Sequence, residues 1–251
     1  MMIFTIAARE IRSLFLSPLA WAILAVTLFI LAYLFLSQIE AYTLLQPRLA
    51  ALQAAPGVSD IVVAPLLGDA AVVLLLITPL VTMRTLSEER RSRTISLLLS
   101  APVSMTEIIL GKYLGVLTFF LILIGMLALM PLSLLAGTDL DLGKLAAGLL
   151  GLTLVVAAFA AIGLFMSSLT EQPTVAAVTT FGLLLLLWIL DWAGNSGLDT
   201  SNLLAYLSML RHYEPLLKGL FSSTDVGYYL LVTTLFLGFS IRRLDATRLP
   251  H

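Results

Sequence analysis

The stretch MRTLSEERRSRTISLLLSAPVSMTEIILGK, residues 83–112, decides how the chain is read, because it is the one long charged interval between two very apolar ones. It holds Arg84, Arg90, Arg91, Arg93 and Lys112, five of the fourteen Lys and Arg, with Glu88, Glu89 and Glu107 beside them. Ser87 reads as a helix cap ahead of Glu88 and Glu89, an apolar run follows at residues 95–99, Pro102 breaks it, and Ser104 or Thr106 starts a new helix. Two short helices with a proline corner make a rigid lever. A charged helical segment between membrane spans reads as a handle that a soluble partner grips. The plainer reading is a basic-acidic loop that obeys the orientation rule.

The flanks fix the class. Of 251 residues, 60% are hydrophobic and 12% charged, and the mean hydropathy is +1.05, far from the balance of a soluble domain. A hydrocarbon core about 30 Å thick takes roughly 20 apolar residues per helix, which leaves room for several spans and little else. The expected fold is all-α: a polytopic membrane protein forming a single transmembrane domain over 1–251.

Working outward, six spans are expected at about residues 19–38, 65–83, 113–136, 145–169, 174–190 and 226–241. Residues 1–18 carry Ile3, Ile6, Ala7, Ile11, Leu14 and Phe15 at helical spacing with Arg9, Glu10 and Arg12 among them, the pattern of an amphipathic helix on the membrane surface. The first apolar run exceeds a signal-peptide core, so it is expected to be retained. Residues 40–64, with Pro47, Pro56 and Gly57, read as an external loop containing a short helix. Pro79 is expected to bend the second span near its end. The fourth span is rich in Gly, Ala and Ser, which lets helix backbones approach, and is expected inside the bundle. Residues 192–225 are too polar to cross and too apolar for plain loop, and suit short helices dipping into the outer leaflet.

With both termini in the cytoplasm, ten of the fourteen basic residues fall on that side and Arg48, Lys144, Arg211 and Lys218 on the other. No charge stands in the middle of a proposed span, which argues against a proton-coupled carrier or ion pump. The net charge of −1 disfavours nucleic acid, and with no cysteine there is no disulfide or thiolate metal site. Gly111-Lys112 is followed by Tyr113 and lacks the upstream glycine of a phosphate loop, and H-E-x-x-H and G-x-S-x-G are absent. No catalytic, cofactor or metal residue is therefore assigned. His212 is read as a packing or hydrogen-bonding residue. Gly111 and Gly115 form a small-xxx-small pair that suits either a dimer seam or packing within the bundle.

Residues 83–115 resemble the coupling segment of type 2 exporter ABC permeases, where an acidic-basic cluster precedes T-[IL]-x-x-L-L-x-[ST]-x-P-[VL] and then I-x-x-G-K. The matching residues are Glu88, Glu89, Arg90, Thr94, Ile95, Leu98, Leu99, Ser100, Pro102, Val103 and Gly111-Lys112. Ser92-Arg93 stands where many relatives have a glycine. SLFLSPLAW at 13–21, AAIGLFMSSLTEQ at 160–172 and HYEPLLKGLFSSTDVGYY at 212–229 are similar to gliding-motility, GldF-like permeases. The resemblance implies that Glu88, Glu89, Arg90, Thr94, Ile95, Leu98, Leu99 and Pro102, within a cytoplasmic coupling segment at 84–107, contact a separate ABC ATPase subunit that carries the ATP and Mg²⁺. It also implies a second permease, identical or similar, outer re-entrant helices over 192–225, and a bacterial inner-membrane location; an extracytoplasmic auxiliary protein and membrane lipid complete the expected partners. From another class, a membrane anchor or assembly factor that recruits an ATPase without transport would use the same handle.

Overall fold

The computed structural model describes residues 2–49, 56–92, 103–194 and 206–248. Every regular element among them is helical: α1 (Met2–Leu16), α2 (Pro18–Leu49), a π-helical turn (Ser59–Val63), α3 (Ala64–Thr82), α4 (Ser87–Arg91), α5 (Met105–Ser133) closed by a 3₁₀ turn (Leu134–Ala136), α6 (Leu142–Leu169), α7 (Pro173–Gly194), α8 (Met209–Leu217) and α9 (Ser223–Arg248). Six of these stretches are long and apolar enough to cross a membrane. The polytopic all-α architecture is thus as the apolar runs imply.

Boundaries differ from the sequence reading where local chemistry extends a helix. α2 does not stop near residue 38 but runs to Leu49. Pro47 falls in its last turn, where the missing N–H costs a single backbone bond. The sixth helix likewise starts at Ser223 and reaches Arg248, well beyond 226–241. Ser104 does start a helix, through a capping box in which its Oγ accepts from Glu107 N and Glu107 Oε2 accepts from Ser104 N. That helix is not short: it is α5 itself, 29 residues without a break. Pro102 and its corner lie outside the described residues.

α6 is the centre of the bundle and packs on α3, α5, α7, α8 and α9. Its small residues do what the composition implies. A Cβ on Gly148 would stand 2.5 Å from Leu67 Cδ1, one on Gly151 2.9 Å from Leu216 Cβ, and one on Gly163 would collide with Thr82. Leu152, Val155, Val156, Phe159 and Ile162 are fully buried between these approaches.

The end of the bundle away from the termini is closed by α8. Tyr213 Oη donates to Leu67 O at 2.9 Å, Tyr229 Oη to Met209 O at 2.6 Å and Tyr228 Oη to Leu207 O at 2.6 Å. Burial holds the Tyr213 phenol well above its ordinary range, so it stays a donor. His212 is fully engaged: Nδ1 lies 2.7 Å from Asp225 Oδ1, Nε2 lies 2.9 Å from Tyr206 O, and the ring stacks on Tyr228 with centroids 4.1 Å apart. It fastens α8 to α9, the packing role read for it from the sequence.

Candidate functional site

The charged stretch after α3 lies at the end of the bundle that carries both termini, the terminal face. α4 places Glu88 and Glu89 in its first turn and Arg90 and Arg91 in its last, so its side-chain charges oppose the helix dipole. Glu88 and Arg91 are exposed, and Glu88 makes only a loose pair with Arg84 at 3.9 Å. Glu89 points inward. Arg90 is half-buried near Glu171 and Arg243, and its Nε and Nη2 have no hydrogen-bond partner among the described residues. Thr94, Ile95, Leu98, Leu99 and Pro102 fall outside the described residues.

Ser87 does not cap α4. The cap position is Leu86, whose side chain offers no hydrogen bond, and the Ser87 hydroxyl donates backward to Met83 O. The acceptor for the helix start comes from α6: Ser167 Oγ receives Leu86 N and Ser87 N, each at 3.1 Å, and donates to Met83 O at 3.1 Å. One hydroxyl thus spends its donor and both lone pairs on a turn some 80 residues earlier in the chain. Ser167 was legible only as part of the MSSLT match; nothing in its own neighbourhood marks it as a latch.

A second fastening is ionic. Lys112, 1% exposed, sends Nζ to Glu89 Oε1 at 2.8 Å, Thr85 O at 2.8 Å and Glu10 Oε2 at 3.2 Å. Arg9 Nη2 reaches Glu89 Oε1 at 3.4 Å. One buried ammonium, with three donors and three acceptors, therefore joins α1, the turn before α4, α4 and α5. A buried lysine is stable only when paired in this way. The sequence offered Lys112 as the end of a motif and Glu10 as one charge of a surface helix; their meeting was not legible.

α1 owes its place to glycines. A Cβ on Gly111 would stand 2.6 Å from Ile6 Cβ, and one on Gly115 2.6 Å from Glu10 Cβ. Phe15 then meets Phe119, ring centroids 5.8 Å apart. These contacts step forward together, so α1 runs in the same sense as the start of α5. Much of the apolar stripe that suggested a lipid-facing helix meets protein instead, and the Gly111/Gly115 pair is occupied by packing within the chain.

The latch makes a direct prediction. Ser167→Ala leaves two backbone N–H groups at the buried start of α4 without their acceptor, while Met83 O keeps the Ser87 hydroxyl, a cost of about 1 to 3 kcal/mol per unmet group. Hydrogen exchange followed by mass spectrometry is expected to show faster exchange at residues 85–91 with the rest of the bundle unchanged. Unaltered exchange there would remove Ser167 from the role given to it.

No group of three His, Cys, Asp or Glu side chains that could hold a metal ion occurs among the described residues. The site is a short charged helix held from within through Glu89 and through its first N–H groups, with Glu88 and Arg91 exposed on its other side. No curated protein matches the sequence. A family model described as ABC-2 family transporter protein matches residues 4–248, and the chain belongs to that family: it is a multi-pass membrane permease subunit of an ABC transporter, a transport component that works with an ABC ATPase and is not itself catalytic.

Proposed function

We propose that this permease is the membrane half of an ATP-driven exporter of the GldF-like type, in a bacterial inner membrane with both termini in the cytoplasm. A separate ATPase grips residues 84–107 there, and a second permease, identical or similar, completes the pathway. Nucleotide energy enters as a difference in the affinity of the ATPase for two arrangements of the spans. The observation that carries this reading is the two-sided character of α4. Its outer side presents Glu88 and Arg91, while its inner side is fixed through Glu89 to Lys112 and through its first N–H groups to Ser167. A loop that merely obeyed the orientation rule has no use for such anchorage. The ten-to-four division of basic residues supports the orientation.

The test is co-purification with a co-expressed ABC ATPase subunit from the same organism. Changing Leu98 and Leu99 together to Asp, or reversing Glu88→Lys with Arg91→Glu, is expected to lower ATPase recovery at least about tenfold, because apolar and charged contacts of a docking helix are each worth roughly 1 to 2 kcal/mol. Undiminished recovery in both variants removes the handle. Reconstituted vesicles then separate a transporter from an anchor: the pair is expected to show ATP hydrolysis that rises with substrate, and a complex that forms without such stimulation favours the anchor.

A further inference from the structure

A cavity of about 500 Å³ opens on the terminal face between α1, the start of α2, the end of α3, α4 and α5. Its lining changes character along the bundle axis. At the outer level stand Arg9, Arg84, Glu88 and the Lys112–Glu10–Glu89 cluster. Leu80 lies one turn further in along α3 and Phe119 two turns further along α5, joined by Leu19 and Ile23 of α2. Leu19 and Leu80 are 38% and 43% exposed, so the inner part of the cavity opens sideways toward hydrocarbon and not into the core.

The charges at its mouth are of two kinds. Lys112 is saturated by its three acceptors and carries nothing further. Arg9 spends one N–H on Glu89 at 3.4 Å with its side chain 61% exposed, which leaves the remainder of its fork available. Arg84 and Glu88, 54% and 58% exposed, meet only at 3.9 Å. Two under-used guanidinium groups and one under-used carboxylate thus rim an apolar slot. This matches a head that carries both signs on an apolar tail: the phosphate between Arg9 and Arg84, an ammonium with N–H donors at Glu88, and the upper acyl chain along Leu19, Ile23 and Leu80.

We propose that this cavity binds one zwitterionic aminophospholipid, of the phosphatidylethanolamine class, from the leaflet that borders the terminal face. An anionic lipid such as phosphatidylglycerol satisfies the arginines but brings to Glu88 only neutral glycerol hydroxyls, with no ammonium to offset the carboxylate. A choline head has no N–H to donate to that carboxylate. The proposal rests on the membrane placement of α3 and α5; it shares Arg84 and Glu88 with the segment proposed to meet the ATPase, so it is tested with no ATPase present.

The experiment uses the full chain purified in detergent, with no ATPase present, mixed in turn with dioleoyl phosphatidylethanolamine, phosphatidylglycerol and phosphatidylcholine and examined by native mass spectrometry. One phosphatidylethanolamine per chain is expected to survive, at roughly fivefold or greater preference over each of the others. Ser13→Trp, on an exposed position of the cavity wall, and Arg84→Gln are expected to abolish that preference while the melting temperature without lipid stays unchanged. Glu88→Gln is expected to bring phosphatidylethanolamine and phosphatidylglycerol to equal retention. Preference for phosphatidylglycerol in the unaltered chain, or retention that Ser13→Trp and Arg84→Gln both leave intact, overturns the assignment.

Discussion

Lys112→Met is expected to be the most damaging single change at the terminal face. It removes the ammonium that Glu10 and Glu89 share at 3.2 and 2.8 Å and leaves two largely buried carboxylates facing one another. Removing one partner of a buried ion pair costs about 3 to 5 kcal/mol, which for a chain of this size lowers the melting temperature by about 6 to 20 °C. α1 is expected to come away from α5, so protease cleavage within residues 2–16 should rise in parallel. Lys112→Arg is not expected to rescue. Its planar fork suits two oxygens in one plane, whereas the acceptors here converge from α1, α4 and the Thr85 carbonyl. Adding Glu10→Gln and Glu89→Gln to Lys112→Met should recover much of the loss, because a neutral trio no longer buries unpaired charge. A melting temperature unchanged in Lys112→Met would show that the cluster holds nothing together.

Gly163→Leu is expected to be nearly as severe, for a steric reason. The added Cβ would collide with the side chain of Thr82, which is fully buried and whose Oγ1 donates to Thr78 O at 2.9 Å. A β-branched side chain held by its own hydrogen bond cannot turn aside, so α3 and α6 must part. Overpacking of this kind costs about 1 to 3 kcal/mol or more. The position adds to the cost: Ser167 lies one turn further along α6, and parting the helices draws it off the turn at Met83–Ser87. Substrate-stimulated ATP hydrolysis of the assembled transporter is therefore expected to fall more than the folded yield does. Gly125→Leu is the control. Nothing lies within 4 Å of a Cβ there, and neither readout is expected to move.

The parts of the structure that could be read from residues alone are those set by short-range chemistry. Long apolar runs have one physical outcome in a bilayer, and all six expected spans fall within helices long and apolar enough to cross it. Ser104 with Glu107 three residues on is a complete helix start. The glycines and alanines of residues 145–169 could be assigned to the interior because small side chains serve close packing. The fastenings of the handle were not legible. Lys112 and Glu10 are 102 residues apart, and Ser167 and Ser87 are 80 apart. In helices apolar on every side, the pattern does not say which face meets which neighbour. Helix ends in the polar layers were also misjudged, as at α2 and α9, since hydropathy marks where lipid stops and hydrogen bonding decides where a helix does.

The unbroken course of α5 from its capping box carries a mechanical consequence. With 29 residues at about 1.5 Å each it is a rod about 44 Å long, and a tilt of about 5° imposed at Met105 swings Ser133 sideways by about 4 Å. Because Lys112 and the Gly111/Gly115 seam bind α1 to the Met105 end of that rod, a small rotation imposed there is carried to the opposite mouth, with Pro131 only in its last turn.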